Sequence, residues 1–235
     1  PKFKLRADYS YFKLKYESDR NVFRERSDNA FALYAFYKVL PKTSVFVEYE
    51  YVDVDYDQNI LSDSKEQHYF GGLDWKVTAK SRGRIKVGYG VKDFDRRGAS
   101  NRNDLILEVQ VDHRFTRKTS MYCKVSRRTE ETDLETTQGV LSDNFQLGYT
   151  QNLTAKLTAS IKATYIHDRY NKDLTIGTQT DRRRDDYYSV DLVFGYSPRE
   201  WLNLGVGYVY SDRNSNFSTF DYESNTVYGN ATLAF

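Results

Sequence analysis

The sequence predicts an all-β fold, a transmembrane, antiparallel up-and-down β-barrel of about 12 strands with short periplasmic turns and long extracellular loops. Three observations predict it. Apolar and polar residues alternate with period two through nearly the whole chain. The connections between the alternating segments are short and long in turn. Aromatic residues gather at both ends of the apolar face, with aliphatic residues between them.

Composition sets the frame. The chain has 235 residues, with 21 Tyr, 14 Phe and only 3 Pro. Disordered chains are poor in aromatics and β-branched residues, so a folded domain is expected. That domain is residues 1–235, read as a single barrel or as the C-terminal part of a larger one. A net charge of +2 with no basic arm gives no pull toward nucleic acid. No apolar run reaches the ~18 residues of a membrane helix. No signal peptide is read, as expected of a mature chain or a fragment. The single cysteine, Cys123, excludes an internal disulfide framework or a cysteine-based zinc site.

The strands follow from alternation. In "SRGRIKVGYGVKDF", Ile85, Val87, Tyr89 and Val91 alternate with Arg84, Lys86, Gly88, Gly90 and Lys92. In "DLILEVQVDHRF", Leu105, Leu107, Val109 and Val111 alternate with Asp104, Glu108, Gln110 and Asp112. The same pattern recurs in "KLTASIKATY", "YSVDLVFGY", "WLNLGVGYVY" and "NTVYGNATLAF". A strand with one apolar and one polar face produces it. The turns are "LPKTS", "TAKSR", "TRKT", "NLTAK" and "SPRE". Between them lie long polar connections, centred near residues 20, 60, 98, 136, 177 and 216. Propeller repeats have a similar period but do not separate turn lengths in this way.

The aromatics decide which face meets which solvent. On the apolar face, Phe3, Tyr37, Trp75, Phe115, Tyr149, Tyr196 and Phe235 stand at the turn-side ends. Tyr11, Phe31, Tyr51, Tyr69, Tyr89, Tyr165, Tyr188 and Tyr210 stand at the loop-side ends. Leu33, Val47, Leu73, Val87, Val109, Ile161, Leu192 and Val206 lie between. Two aromatic girdles around an aliphatic band describe a lipid-facing surface. A soluble core has no reason to sort aromatics to both strand ends. Trp75, Phe115, Tyr149, Tyr196 and Phe235 are thus the expected lipid-interface aromatics.

Several stretches carry a family resemblance. "DNFQLGYTQNLTAKLTASIKATYIHDRY", "DDYYSVDLVFGYSPREWLNLGVGYVYSDRNS" and "FDYESNTVYGNATLAF" resemble the bacterial outer-membrane porin families associated with exopolysaccharide gene clusters. The terminal Phe235 after an alternating strand resembles the C-terminal signal read by the barrel insertion machinery. The resemblance implies location in the bacterial outer membrane of a Gram-negative cell. It also implies partners in outer-membrane lipid, the insertion machinery, saccharide, and periplasmic or export proteins.

If the apolar face meets lipid, the polar face lines a lumen. Its expected lining is Asp74, Lys76, Arg84, Lys86, Glu108, Asp112, Lys124 and Arg128, mixed in sign with a modest positive excess. Hairpin geometry suggests a ladder Asp74, Lys86, Asp112, Lys124 across four strands, satisfying buried charge. A transport barrel for polar solutes, saccharide among them, is one expectation. A scaffold or sleeve for a partner, without an open pore, is the other.

Catalytic chemistry is sparse. The three histidines are His68, His113 and His167. Val111 and Phe115 flank His113 on its face, and Tyr165 and Arg169 flank His167, so no serine adjoins either along its strand. A hydrolase needs nucleophile and base in reach, and no enzymatic activity is expected. No phosphate loop, dinucleotide fingerprint or metal spacing is present, so neither cofactor nor metal is called for. The run Arg182, Arg183, Arg184 is expected in an outer loop, solvated or holding anionic groups. Cys123 is expected to face lipid.

Overall fold

The computed structural model describes residues 1–17, 19–58, 63–76, 78–95, 102–130 and 139–234. Twelve strands account for almost all of them. They are β1 (Phe3–Leu14), β2 (Arg26–Leu40), β3 (Thr43–Tyr56), β4 (Ser64–Trp75), β5 (Ser81–Phe94), β6 (Arg102–Arg114), β7 (Thr119–Glu130), β8 (Val140–Asn152), β9 (Leu157–Ile176), β10 (Gln179–Arg199), β11 (Leu202–Ser215) and β12 (Tyr222–Leu233). Short 3-10 helices at Asp19–Arg24 and Ser218–Phe220 are the only other regular elements among the described residues. Each strand pairs antiparallel with the next in one sheet ordered β1 to β12. No pairing of β12 back to β1 closes the sheet among the described residues.

Alternation places the two faces as the sequence predicts. Val47 and Val87 are 62% and 49% exposed, while Glu48 and Lys86, their neighbours in β3 and β5, are 4% and 7% exposed. The arrangement is inverted relative to a water-soluble sandwich, with apolar residues outward and charges inward. Outer-membrane barrels require that inversion.

The sheet is strongly curved, with the polar face on the concave side. Arg128 in β7 reaches to 3.6 Å from the Glu50 carboxylate in β3. In a flat sheet those strands stand roughly 19 Å apart, beyond the combined reach of the two side chains. Glycines admit inward rings along this surface. A Cβ at Gly72 would clash with the Phe46 ring, and one at Gly148 with the Tyr122 ring. Each ring covers a glycine directly across the strand pair, so the aromatic fills the space its neighbour leaves.

Connection lengths segregate as expected at one end. Short turns join β2 to β3, β4 to β5, β6 to β7, β8 to β9 and β10 to β11. The other end differs in one place. The segment expected as a loop near residue 177 is an extended hairpin, in which β9 and β10 run 20 and 21 residues. Only Gly177, with φ +60°, and Thr178 separate them. Glycine supplies the positive φ that such a tight turn requires. The loops expected around residues 60, 98 and 136 fall largely outside the described residues, and Phe235 lies outside them as well.

Candidate functional site

The polar residues of β3 to β7 converge on the concave face at two levels. Toward the loop end the face is packed. Lys86 places its Nζ 2.9 Å from Glu48 Oε1 and 3.1 Å from Glu108 Oε2. Arg128 also pairs with Glu108. His68 Nδ1 lies 3.0 Å from Glu50, and its Nε2 lies 3.5 Å from Glu66. Lys92 completes the layer, donating to Glu66 at 2.7 Å. Phe46, Phe70 and Ile106 are buried among these charges, and the Lys86 ammonium lies 4.0 Å from the centre of the Phe70 ring. Opposite charges interlock across neighbouring strands, which allows them to leave water.

Toward the turn end the concave face opens. Asp74, Lys76, Arg84, Lys86, Glu108, Asp112, Lys124 and Arg128 all line one recess of about 690 Å³. The structure therefore brings together all eight charged residues singled out from the sequence. Their pairing differs from the expected ladder. Asp74 bonds Arg84 at 2.7 Å, not Lys86. Asp112 meets Arg82 at 3.2 Å, and Lys124 stands opposite Gln110. The two short-turn hairpins are each two residues out of the assumed register and the β5–β6 pair is four out; even slips keep every side chain on its face but change its partner.

Of the expected interface aromatics, Trp75, Phe115, Tyr149 and Tyr196 are at the turn end of the outward face. Trp75 covers Gly83 across the β4–β5 pair. Cys123 is a free cysteine on the outward face of β7, in register with Leu147.

Three features escaped sequence reasoning. Ser81 does stand beside His113, directly across from it in β5, with Oγ 2.7 Å from Nδ1. The ring otherwise meets Phe115 edge-on at 4.5 Å, and no carboxylate contacts it among the described residues. Without an orienting acid the pair lacks the third member of a hydrolytic triad. Knowledge of the register would have found it. The second feature is the mutual pairing of Glu48, half-buried Glu50, Glu66, His68 and Lys92; alternation turns all five inward with Lys86 but does not say which of them leave water. The third corrects the arginine run. Arg182, Arg183 and Arg184 lie in β10, not in a loop. Arg183 is buried, paired with Asp185, and its guanidinium sits 3.5 Å from the centre of the Phe220 ring. The other two stay exposed beside Asp173 and Asp181.

Several solved outer-membrane proteins share this architecture at low sequence identity. The chain is similar to the outer-membrane channel DcaP of Acinetobacter baumannii, with TM-score 0.63 and 14% identity over 99% of this chain and 71% of that one. It is similar to the FrpB iron transporter of Neisseria meningitidis, with TM-score 0.59 and 8% identity over 85% of this chain and 36% of that one. It also resembles the alcaligin outer-membrane receptor FauA of Bordetella pertussis, with TM-score 0.57 and 14% identity over 97% of this chain and 47% of that one. No curated protein sequence matches. The family model described as "Putative beta-barrel porin 2" matches residues 5–235. With charges turned inward, an aliphatic band turned outward and that match over nearly its whole length, the chain belongs to this porin family of the bacterial outer membrane.

Proposed function

We propose that the protein is a porin-like channel whose concave polar face conducts small polar solutes, acidic saccharides among them. The observation that carries this is the single recess lined by all eight charged residues singled out from the sequence. Membership of a porin family supports the same reading. A wet, charged wall replaces part of a solute's hydration, and its fixed charges set which ions enter. Lys76 and Lys124, which meet no carboxylate among the described residues, tilt that wall toward anions. Inward ring faces elsewhere on the concave side, Tyr34, Phe36 and Tyr122, offer apolar surface to the C–H faces of a sugar.

A second reading has its own observation. The layer of Glu48, Lys86, Glu108 and Arg128 around Phe46 and Phe70 packs the loop-ward part of the concave side from β3 to β7. A filled interior favours a scaffold or sleeve that anchors a partner and conducts nothing. Swelling of liposomes containing the folded protein separates the two. Entry of small sugars, falling with sugar size, is the channel outcome. Liposomes as tight as protein-free ones, with the protein inserted, favour the sleeve.

A further inference from the structure

At the turn end, β1, β2 and the starts of β3 and β5 enclose a second recess of about 560 Å³. Its wall is strongly basic. Lys2, Lys4, Arg6, Lys38, Lys42 and Lys76 line it, together with Arg84 and a single acid, Asp74. Two of these cations are balanced locally, since Arg84 pairs with Asp74 and Arg6 with Asp8. Lys2, Lys4, Lys38 and Lys76 meet no carboxylate among the described residues. Lys4 instead lies 5.9 Å from the centre of the Phe36 ring, and Phe36 packs against Phe46 at 5.3 Å. The packed layer lies immediately loop-ward, so the recess forms a cup beneath it.

Four uncompensated lysines on one concave wall repel one another. Low-dielectric walls focus their field and concentrate counter-ions. Water and salt satisfy such a site only by continual exchange, whereas one molecule with several fixed negative charges neutralises it in a single event. The loop-ward layer is the opposite case, because Glu48, Glu50, Glu66 and Glu108 already hold its cations. The excess is therefore local to the cup.

We infer that the turn-end cup formed by Lys2, Lys4, Lys38 and Lys76 is a binding site for a multivalent anion, a ligand carrying two or more carboxylate or phosphate groups. Lysine suits this task because its ammonium is a point charge on a flexible stem and accommodates either group. Phe36 gives the ligand's carbon frame an apolar surface. The inference deepens the channel reading by naming the class of solute its periplasmic end holds, and it rests on the concave face being the barrel interior, which both readings of the function share.

Calorimetry on the full chain folded in detergent tests it. The probes are trigalacturonate for carboxylate, tripolyphosphate for phosphate, glucuronate as a single charge and maltotriose as a neutral sugar. The wild type should bind at least one of the two multivalent probes more tightly than glucuronate, and maltotriose least. The probe that wins identifies the anionic group. Lys4→Gln/Lys38→Gln/Lys76→Gln should weaken binding roughly tenfold or more, given the size of such field effects. Lys4→Arg/Lys38→Arg/Lys76→Arg should retain it, which guards against loss through misfolding. Lys118→Gln/Lys156→Gln, on turns outside the cup, should bind like the wild type. Equal binding by the wild type and the glutamine triple variant overturns the inference. So does equal binding of maltotriose and trigalacturonate, or no binding at all. A barrel that binds the anion but lets no solute through liposomes refutes only the channel reading. One that admits solutes and ignores the anion refutes only this inference.

Discussion

Lys86 in β5 reaches across β4 to place its Nζ 2.9 Å from Glu48 in β3, and both side chains are almost wholly withdrawn from solvent. The contact skips a strand, on the concave side where curvature draws alternate strands together. Glu108 completes the bridge from the other side at 3.1 Å. One lysine thereby ties three strands across the concave face.

Breaking that tie should be costly. Lys86→Gln leaves Glu48 buried without its counter-charge, while Glu108 keeps Arg128. Removing one partner of a buried pair costs about 3–5 kcal/mol. Adding Glu48→Gln should restore much of the loss, because the orphaned charge goes too. Urea unfolding in lipid vesicles measures both. A single variant as stable as wild type would show that water already solvates the pair.

The outward face should resist charge. Val87→Arg should destabilise the inserted protein by ~2–4 kcal/mol if Val87 lies near the bilayer midplane. Gln110→Ser, on the concave face, should cost well under 1 kcal/mol, as ordinary substitutions away from special features do. Comparable losses at both sites in the same vesicle assay would mean that the faces do not separate lipid from interior.

Sidedness follows from connection lengths. In a Cys123→Ser background, cysteines at Thr178 and Ser218 should react with an impermeant thiol reagent on intact cells. Cysteines at Ala79 and Lys118 should react only after the outer membrane is opened. The reverse pattern would place the short turns outside.

The two outer strands carry a further expectation. β1 and β12 each have one edge without a partner among the described residues, and unpaired backbone groups in hydrocarbon cost several kcal/mol each. In the membrane these edges must be covered, by each other or by further strands. Amide hydrogens of Leu5, Ala7, Val227 and Gly229 should exchange about as slowly as that of Val109 in the middle of the sheet. Fast exchange at the edges alone would show an open sheet in the bilayer.

Much of this molecule is legible in its sequence, because period-two alternation fixes which way a side chain points. Glu108, Lys124 and Arg128 face the same recess whatever their partners are. Pairing is a different matter. Asp74 was expected opposite Lys86 and stands opposite Arg84. A slip of two residues preserves every face, so alternation carries no trace of it, and only the turn conformation sets it. The outer hairpin of β9 and β10 is hidden for a related reason. Beyond the membrane both faces of a strand are wet, so "NKDLTIGTQTDRRR" shows no amphipathic pattern and reads as loop. On that basis Arg183 reads as a loop residue, solvated or holding anionic groups, and the hairpin instead folds it against Tyr170 and Phe220.

The most direct test of the channel account is single-protein conductance in a planar bilayer under a salt gradient. The account predicts discrete conductance steps and a reversal potential on the anion-selective side. Lys76→Gln/Lys124→Gln should keep the steps and move that potential toward zero, because these lysines line the recess and pair with no carboxylate among the described residues. Protein that is folded and inserted yet passes no current would contradict the account and leave the sleeve. Current whose selectivity ignores both lysines would place the ion path away from this face.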